Sequence, residues 1–109
     1  MAWLVREGDV LATAEVAENR RARRRGLLGR SEFEGALVLR RCRHVHTFFM
    51  RFTIDLAFCD ADGIVLRTTC LRPWRLSPLV ANAAFAVEAQ AGAFERWGLA
   101  VGDRVEVKE

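Results

Sequence analysis

The chain has 109 residues, a formal net charge of +3 and an apolar fraction of 51%. This length fits one domain, over residues 1–109, and argues against a multidomain organisation. The chain meets charge by its sixth residue, which argues against a signal peptide or a membrane span. Cys42, Cys59 and Cys70 are odd in number and contain no CxxC pair, so a disulfide framework is not expected. These features predict a soluble cytoplasmic protein, unless a leader segment has been removed.

The first half of the chain is predicted to hold a hairpin, a helix and two further strands. Its strands cover residues 2–6, 9–15, 35–39 and 44–50, and Gly8-Asp9 supplies the turn of the hairpin. Residues 17–28 are rich in arginine, alanine and leucine, which favour helix, and Gly26 or Gly29 can end it. The apolar stripe of this helix is thin, so we expect the helix to lie on the surface of a sheet.

The second half is predicted to be mostly β. Its strands cover residues 53–59, 64–71, 82–88 and 104–107, and a short helix over residues 93–97 ends at Gly98. The turn Asp60-Ala-Asp-Gly63 closes a hairpin that would place Cys59 opposite Ile64 and Cys70 opposite Thr53. Both cysteines on this hairpin are interpreted as small core residues. The predicted fold class is therefore α+β: mostly β, a small curled sheet or barrel with one arginine-rich surface helix and a short second helix near the C-terminus.

The polar chemistry of the chain concentrates around one histidine segment. Cys42, His44, His46, Phe48 and Met50 alternate, so on a straight strand they would share one face. A thiolate and two imidazoles suit zinc or copper, but a closed site needs a fourth ligand, and we assign no metal. His46 could instead pair with Asp55 or Glu88 as a general base.

A polar pocket is the site we expect from these residues. Asp55 stands among apolar residues and must be paired, with Arg51, Arg72 or His46 as candidate partners. The loop Arg72-Pro-Trp-Arg75 places two guanidiniums around an indole, which suits an anion or a sugar, or a tryptophan that plugs the barrel end. The candidate pocket consists of His46, Thr47, Met50, Asp55, Arg72, Arg75 and Glu88.

Arginines are unevenly placed along the chain. Residues 20–30 hold six of them, which could bind an acidic protein partner or remain a solvated helix face. Nucleic acid is a less favoured partner, because aromatic residues are not interleaved with these arginines and the whole chain is only mildly basic. No phosphate loop, nucleophile elbow or dinucleotide fingerprint is present.

The order and spacing of several short segments resemble the uncharacterised family called domain of unknown function 192. The segments are Arg20 to Arg30, His46-Thr-Phe-Phe-Met-Arg51 with Ile54-Asp55, Phe58 to Val65, Val87-Glu88 with Ala91-Gly92, and Gly98 to Val105. The commoner form of the motif has tryptophan before the methionine and lysine-asparagine-threonine after it, where this chain has Phe49 and Arg51-Phe-Thr53. The resemblance implies a compact β-rich domain and no assigned activity.

We therefore expect a small β-rich binding domain with a polar pocket for a small anionic or polar ligand, no cofactor and no membrane association. One alternative is a hydrolase with a histidine–carboxylate pair, with or without a metal. Another is an adaptor that binds an acidic partner through residues 20–30.

Overall fold

A computed structural model describes residues 1–19, 27 and 30–109, and this part of the chain is mostly β. The strands are β1 (Ala2–Arg6), β2 (Asp9–Ala17), β3 (Ala36–Arg40), β4 (Ile54–Cys59), β5 (Val65–Leu71), β6 (Phe85–Gln90) and β7 (Val105–Lys108). One helix, α1 (Ala93–Trp97), lies between β6 and β7.

All seven strands belong to one sheet with the order β5-β4-β6-β3-β2-β1-β7. Neighbouring strands are antiparallel except for β2 and β3, which run parallel. An isolated bridge between Ile64 and Arg104 joins the start of β5 to the start of β7, and the N–H of Val65 donates to the carbonyl of Asp103 at 2.8 Å. The two ends of the sheet thus meet at one corner, and the sheet curls into a half-barrel, as the sequence led us to expect.

Local turn chemistry explains the predicted hairpin between β4 and β5. The carboxylate of Asp60 accepts the N–H groups of Asp62 and Ile64, each at 2.9 Å, and so folds the turn between β4 and β5. Gly63 has a φ of 86°, and a Cβ at this position would overlap the carbonyl oxygen of Val105. Glycine is therefore required there by conformation and by space.

The predicted short helix is confirmed with its bounds. It begins after Gly92 and ends at Gly98, both of which are left-handed. The N–H of Gly98 donates to Glu95, and that of Leu99 donates to Phe94, which closes the helix. Phe94 is buried and fixes α1 against one face of the sheet.

Apolar side chains cover both faces of the sheet. The face that carries α1 packs around residues such as Val38, Ala57 and Val87, whereas Leu37, Leu56 and Met50 belong to the cluster on the opposite face. Five of the six residues of β4 are buried, so this strand contributes apolar side chains to both faces.

The predicted strand over residues 44–50 is wrong. The segment is a loop, and its β-type pairing within the described part of the chain is limited to an isolated bridge between His46 and Leu76. Arg41 and Phe49 have φ values of 56° and 65°, which no regular strand accommodates. The shared strand face of Cys42, His44, His46, Phe48 and Met50 therefore does not exist.

The predicted register of the β4–β5 hairpin is also wrong. Cys59 pairs with Val65, one residue beyond the predicted Ile64. A bulge that adds Leu66 to β5 shifts the pairing by one more residue, so Cys70 pairs with Asp55. Cys59 is buried as expected, and burial, followed by the charge of Asp60, raises the pKa of its thiol to about 12. Cys70 is exposed and is not a core residue.

Two further predictions of secondary structure differ from the structure. The strand placed over residues 82–88 covers Phe85–Gln90 instead. Ala17 closes β2 and does not start a helix, so the helix predicted over residues 17–28 cannot begin there. Glu18 and Asn19, which follow, are not helical, and Leu27 is buried. The rest of that prediction, including Arg20 to Arg25, lies outside the described residues.

Candidate functional site

Hydrogen bonds of Thr47 connect the loop of residues 44–50 to the loop that follows β5. Its side chain is fully buried, and its hydroxyl donates to the carbonyl of Arg72 at 2.6 Å and accepts the N–H of Arg75 at 2.9 Å. Its own backbone donates to Arg75 at 2.8 Å and accepts from Trp74 at 2.9 Å. One small residue therefore satisfies several buried backbone groups of a loop that has no ladder of its own.

Above this anchor lies an exposed group of aromatic rings. Phe49 and Trp74 are 67% and 55% exposed, and their ring centroids are 4.5 Å apart. Phe48 lies 6.0 Å from Trp74 and stacks on His46 at 4.9 Å. Exposed arginines flank the rings on both loops. We call this set the aromatic–arginine surface: His46, Phe48, Phe49, Arg51, Arg72, Trp74 and Arg75.

The chain segments that carry this surface have charged residues of one sign. Residues 35–54 and 63–87 contain no aspartate or glutamate, yet they hold seven arginines and both histidines of the chain. The seven arginines are Arg40, Arg41, Arg43, Arg51, Arg67, Arg72 and Arg75. The net charge of the whole chain is only +3, so this cationic character is local. A cationic surface with exposed rings attracts anions and can also pack against their apolar parts.

His46 is held in one orientation by its neighbour. Its Nδ1 accepts the backbone N–H of Phe48 at 3.2 Å. A neutral imidazole that accepts at Nδ1 carries its proton on Nε2, so His46 presents an N–H donor to solvent. This geometry suits a hydrogen bond to an anion.

Asp55 does not pair with Arg51, Arg72 or His46, as the sequence had suggested. Its Oδ2 accepts the N–H of Gly92 at 3.0 Å and that of Phe94 at 3.1 Å. The carboxylate therefore caps the start of α1 from a neighbouring strand, where backbone N–H groups favour negative charge. Desolvation raises the pKa of the Cys70 thiol, and the charge of Asp55 together with its hydrogen bond to this thiol raises it further.

Glu88 lies in the middle of the sheet, between Leu37 of β3 and Leu56 of β4. It is 3% exposed, and among the described residues its Oε2 has no hydrogen-bond partner. Burial raises the pKa of this carboxyl to about 7, so Glu88 is largely protonated below neutral pH.

Asp55 and Glu88 lie on opposite faces of the sheet. Asp55 is opposite Ala89 in the β4–β6 ladder, so Glu88, the next residue, points the other way. His46, whose contacts are with Phe48 and Leu76, lies on an exposed loop. The shared hollow predicted for His46, Asp55 and Glu88 is therefore not formed. Met50 is buried in the cluster opposite α1, while Arg72 and Arg75 are exposed near His46 and Thr47.

Other candidate sites are less defined. Within the described ranges, no three histidine, cysteine or acidic side chains are placed to hold a metal ion. A cleft of about 540 Å³ opens between the start of β3 and α1, lined by residues that include Glu32, Glu34, Gln90 and Trp97. In the described part of the chain, no helix has the length and apolar character needed to cross a bilayer.

Phe49 and Trp74 had no place in the predicted pocket as binding residues. Both residues have left-handed backbone, with φ of 65° in each case. The signal available in the sequence was the absence of acidic residues around them, together with four aromatic or imidazole rings in two short segments.

Fold and site together define a class of protein: a half-barrel α+β domain with an exposed cationic and aromatic surface. A family model described as "Uncharacterized ACR" matches residues 3–107. The chain belongs to this family, domain of unknown function 192, and the resemblance found in the sequence is confirmed.

Curated relatives carry no activity in their names. The chain is 37% identical over 62 residues to a UPF0127 protein of Pyrococcus abyssi and 39% identical over 62 residues to one of Pyrococcus furiosus. Each match covers 57% of this chain and 53% of the relative. The matched region thus spans about half the length of these relatives.

Solved structures share the fold. A crystal structure of a protein of unknown function from Novosphingobium aromaticivorans superposes with a TM-score of 0.80 at 18% identity, covering 96% of this chain and 82% of that one. Another, from Sinorhizobium meliloti and described as a candidate transcription regulator, gives a TM-score of 0.80 at 21% identity over 97% of this chain and 91% of that one. At these identities the likeness concerns the fold alone.

Proposed function

We propose that this protein is a binding domain that holds an anionic partner at the aromatic–arginine surface and catalyses no reaction. The observation that carries the proposal is the combination of exposed rings with a surrounding sequence that lacks acidic residues. As expected from the sequence, the proposed ligand is anionic, but we propose that it binds to an exposed surface and not in a polar pocket. We place the protein in the cytoplasm as part of the same proposal, on its cysteine usage.

The construction of the surface supports binding. Phe49 and Trp74 are bulky residues with positive φ, a conformation that costs about 1–2 kcal/mol per residue relative to right-handed backbone. Hydrogen bonds from Thr47 to Arg72, Trp74 and Arg75 hold the two loops in this arrangement. Strain kept at an exposed, water-facing position is more typical of a binding site than of a structural contact.

The hydrolase alternative has less support from the geometry. It needs His46 beside a carboxylate, but Asp55 is engaged by the start of α1 and Glu88 faces the other side of the sheet. The adaptor alternative through residues 20–30 stays a prediction. Of its arginines, Arg30 is described: it bonds to Glu15 at 3.1 Å and lies 5.0 Å from the ring of Phe33.

Binding of inorganic tripolyphosphate, followed by tryptophan fluorescence and by the melting temperature, tests the proposal. Wild type should bind with an affinity that falls steeply with salt. Arg72→Glu with Arg75→Glu should weaken binding by at least tenfold, about 1.4 kcal/mol. The matched control is Arg96→Glu with Lys108→Glu, which makes the same charge change elsewhere and should bind like wild type after correction for net charge.

If both double variants lose the same affinity, only net charge is being measured, and the surface has no specific role. If wild type binds no tripolyphosphate at low salt, the surface does not bind small anions and the proposal is wrong.

A further inference from the structure

We infer that the partner of the aromatic–arginine surface is an extended acidic peptide that adds a strand to the outer edge of β5. This inference rests on the proposed function and names the class of its partner. It is carried by three observations: β5 is a terminal strand, its outward backbone groups can be identified, and it leads directly into the surface.

The position of β5 makes its outer edge available. It is the first strand in the order of the sheet, and its seven residues end at Leu71, one residue before Arg72 of the surface. Only the start of β5 is covered within the described part of the chain, through the contact of Val65 with the loop before β7. A chain that pairs with β5 would therefore run toward the rings of Phe49 and Trp74.

The direction of the backbone groups follows from β4. The carbonyl of Cys59 accepts the N–H of Ala84, on the β6 side, so the odd-numbered residues of β4 face β6 and the even-numbered ones face β5. The partners of the even-numbered residues are the odd-numbered residues of β5 from Arg67 onward. Thr68 and Cys70 therefore direct their N–H and C=O groups away from the sheet. Two outward residues offer two donors and two acceptors at the spacing that a β-strand partner requires.

Charge selects the partner. The outer part of β5 carries the exposed Arg67, and Arg72 and Arg75 follow it, without an acidic residue anywhere from 63 to 87. Charged side chains on an edge strand repel chains of like charge, which is a common protection against unwanted pairing. An acidic strand meets attraction at the same edge. The other terminal strand, β7, carries Glu106 beside Lys108 and offers no such preference.

A peptide fits these features better than a nucleic acid does. Alternating backbone donors and acceptors match another polypeptide backbone, whereas a phosphodiester chain has acceptors alone to offer along its backbone. The exposed pair Phe49 and Trp74, beyond the end of β5, then provides an apolar contact for a side chain at one end of the peptide.

The test uses a fluorescein-labelled synthetic peptide of alternating glutamate and valine with a terminal phenylalanine, and its affinity is read by fluorescence anisotropy. Thr68→Pro removes an outward N–H while leaving the hydrogen bonds to β4 intact, because proline is tolerated on the solvent side of an edge strand. We expect affinity to fall at least about tenfold. Thr68→Val keeps the N–H and should bind like wild type.

A second measurement does not depend on the proline variant folding. In wild type, amide hydrogen exchange at Thr68 and Cys70 should slow when the peptide is added, whereas the exposed turn at Asp62 should be unaffected. A peptide of alternating lysine and valine should neither bind nor protect these amides.

The outcomes separate the two proposals. Peptide binding that is unchanged in Thr68→Pro, or a peptide that binds without protecting Thr68 and Cys70, overturns strand addition and leaves the surface as an anion-binding site. Tighter binding of a single-stranded oligonucleotide or of anionic lipid vesicles, equal in wild type and Thr68→Pro, also overturns it. Failure of both the peptide and tripolyphosphate contradicts the proposed function itself.

Discussion

Phe49 and Trp74 contact each other across two loops, with ring centroids 4.5 Å apart, and both have a φ of 65°. Phe49 is the third residue of a turn in which the N–H of Met50 donates to the carbonyl of Thr47 at 3.2 Å. Turns with positive φ at this position usually place glycine there. The two exposed rings are thus in contact although both residues adopt a backbone conformation that is unfavourable for bulky side chains.

Because of the strained backbone at Phe49, we expect glycine to be more stable than alanine at this position, the reverse of the usual order. Phe49→Gly should be more stable than Phe49→Ala by about 1 kcal/mol, because glycine accepts positive φ without a steric penalty. Urea denaturation of the two variants measures the difference. At Arg96, an exposed position in α1, the order should reverse, with alanine more stable than glycine by about 1 kcal/mol. Equal stability of the two variants at residue 49 would show that its backbone is not held in the left-handed conformation.

The hydroxyl of Thr47 predicts a second stability effect. Thr47→Val keeps the shape but leaves the N–H of Arg75 and the carbonyl of Arg72 without their partner, at a cost of about 1–3 kcal/mol. Thr47→Ser keeps the hydroxyl and should lose less. Urea denaturation gives the two free energies of unfolding, and faster amide exchange at Arg75 in the valine variant would locate the effect. A valine variant as stable as the serine variant would mean that the hydroxyl contributes nothing.

What could be predicted from the sequence was set by local chemistry. The turn at Asp60, the helix that ends at Gly98 and the hairpin at Gly8 depend on residues close in the chain, and all three were correct. The segment from 44 to 50 alternates like a strand, but within the described part of the chain it pairs with the loop after β5 through an isolated bridge and not through a ladder. The hydroxyl of Thr47 bonds to the same loop, 25 and 28 residues further along.

The site depended on register, which the sequence leaves undetermined. A shift of one residue between β4 and β6 decides whether Asp55 and Glu88 share a face or lie on opposite ones. The observed pairing of Asp55 with Ala89 separates them. The bulge at Leu66 likewise moved Cys70 to a position opposite Asp55. Non-local pairing of this kind is fixed by the packing of the whole sheet.

Asp55 offers a test of that separation. Asp55→Ala removes the acceptor for Gly92 and Phe94, so the free energy of unfolding should fall by about 1–2 kcal/mol. Asp55→Asn retains a side-chain oxygen and should lose less. Tripolyphosphate affinity should stay unchanged in the asparagine variant, because the carboxylate caps α1 and takes no part in the aromatic–arginine surface. A loss of affinity in this variant would instead support a common pocket for Asp55 and His46.

Glu88 predicts a pH-dependent stability with a definite sign. Burial raises its pKa from about 4.5 to about 7 in the folded chain, so between these values the folded state binds more protons than the unfolded state. The contribution of protonated Glu88 to the free energy of unfolding, relative to ionised Glu88, is fully present below about pH 4.5 and is lost as pH rises through about 7. A shift of this size corresponds to a free energy on the order of 3 kcal/mol.

The variant Glu88→Gln isolates this effect, because an amide of similar shape cannot ionise in the space between Leu37 and Leu56. Near pH 5 it should unfold with nearly the same free energy as wild type, whereas near pH 8 it should be the more stable protein by a few kcal/mol. Denaturation in urea at both pH values measures the difference in free energy of unfolding between the two proteins. The contributions of the other titrating groups cancel in this difference. Glu95→Gln, an exposed change on α1, should follow wild type at both values. Parallel pH profiles for wild type and Glu88→Gln would mean that the carboxylate is stabilised in the folded chain and that its pKa is not raised by burial.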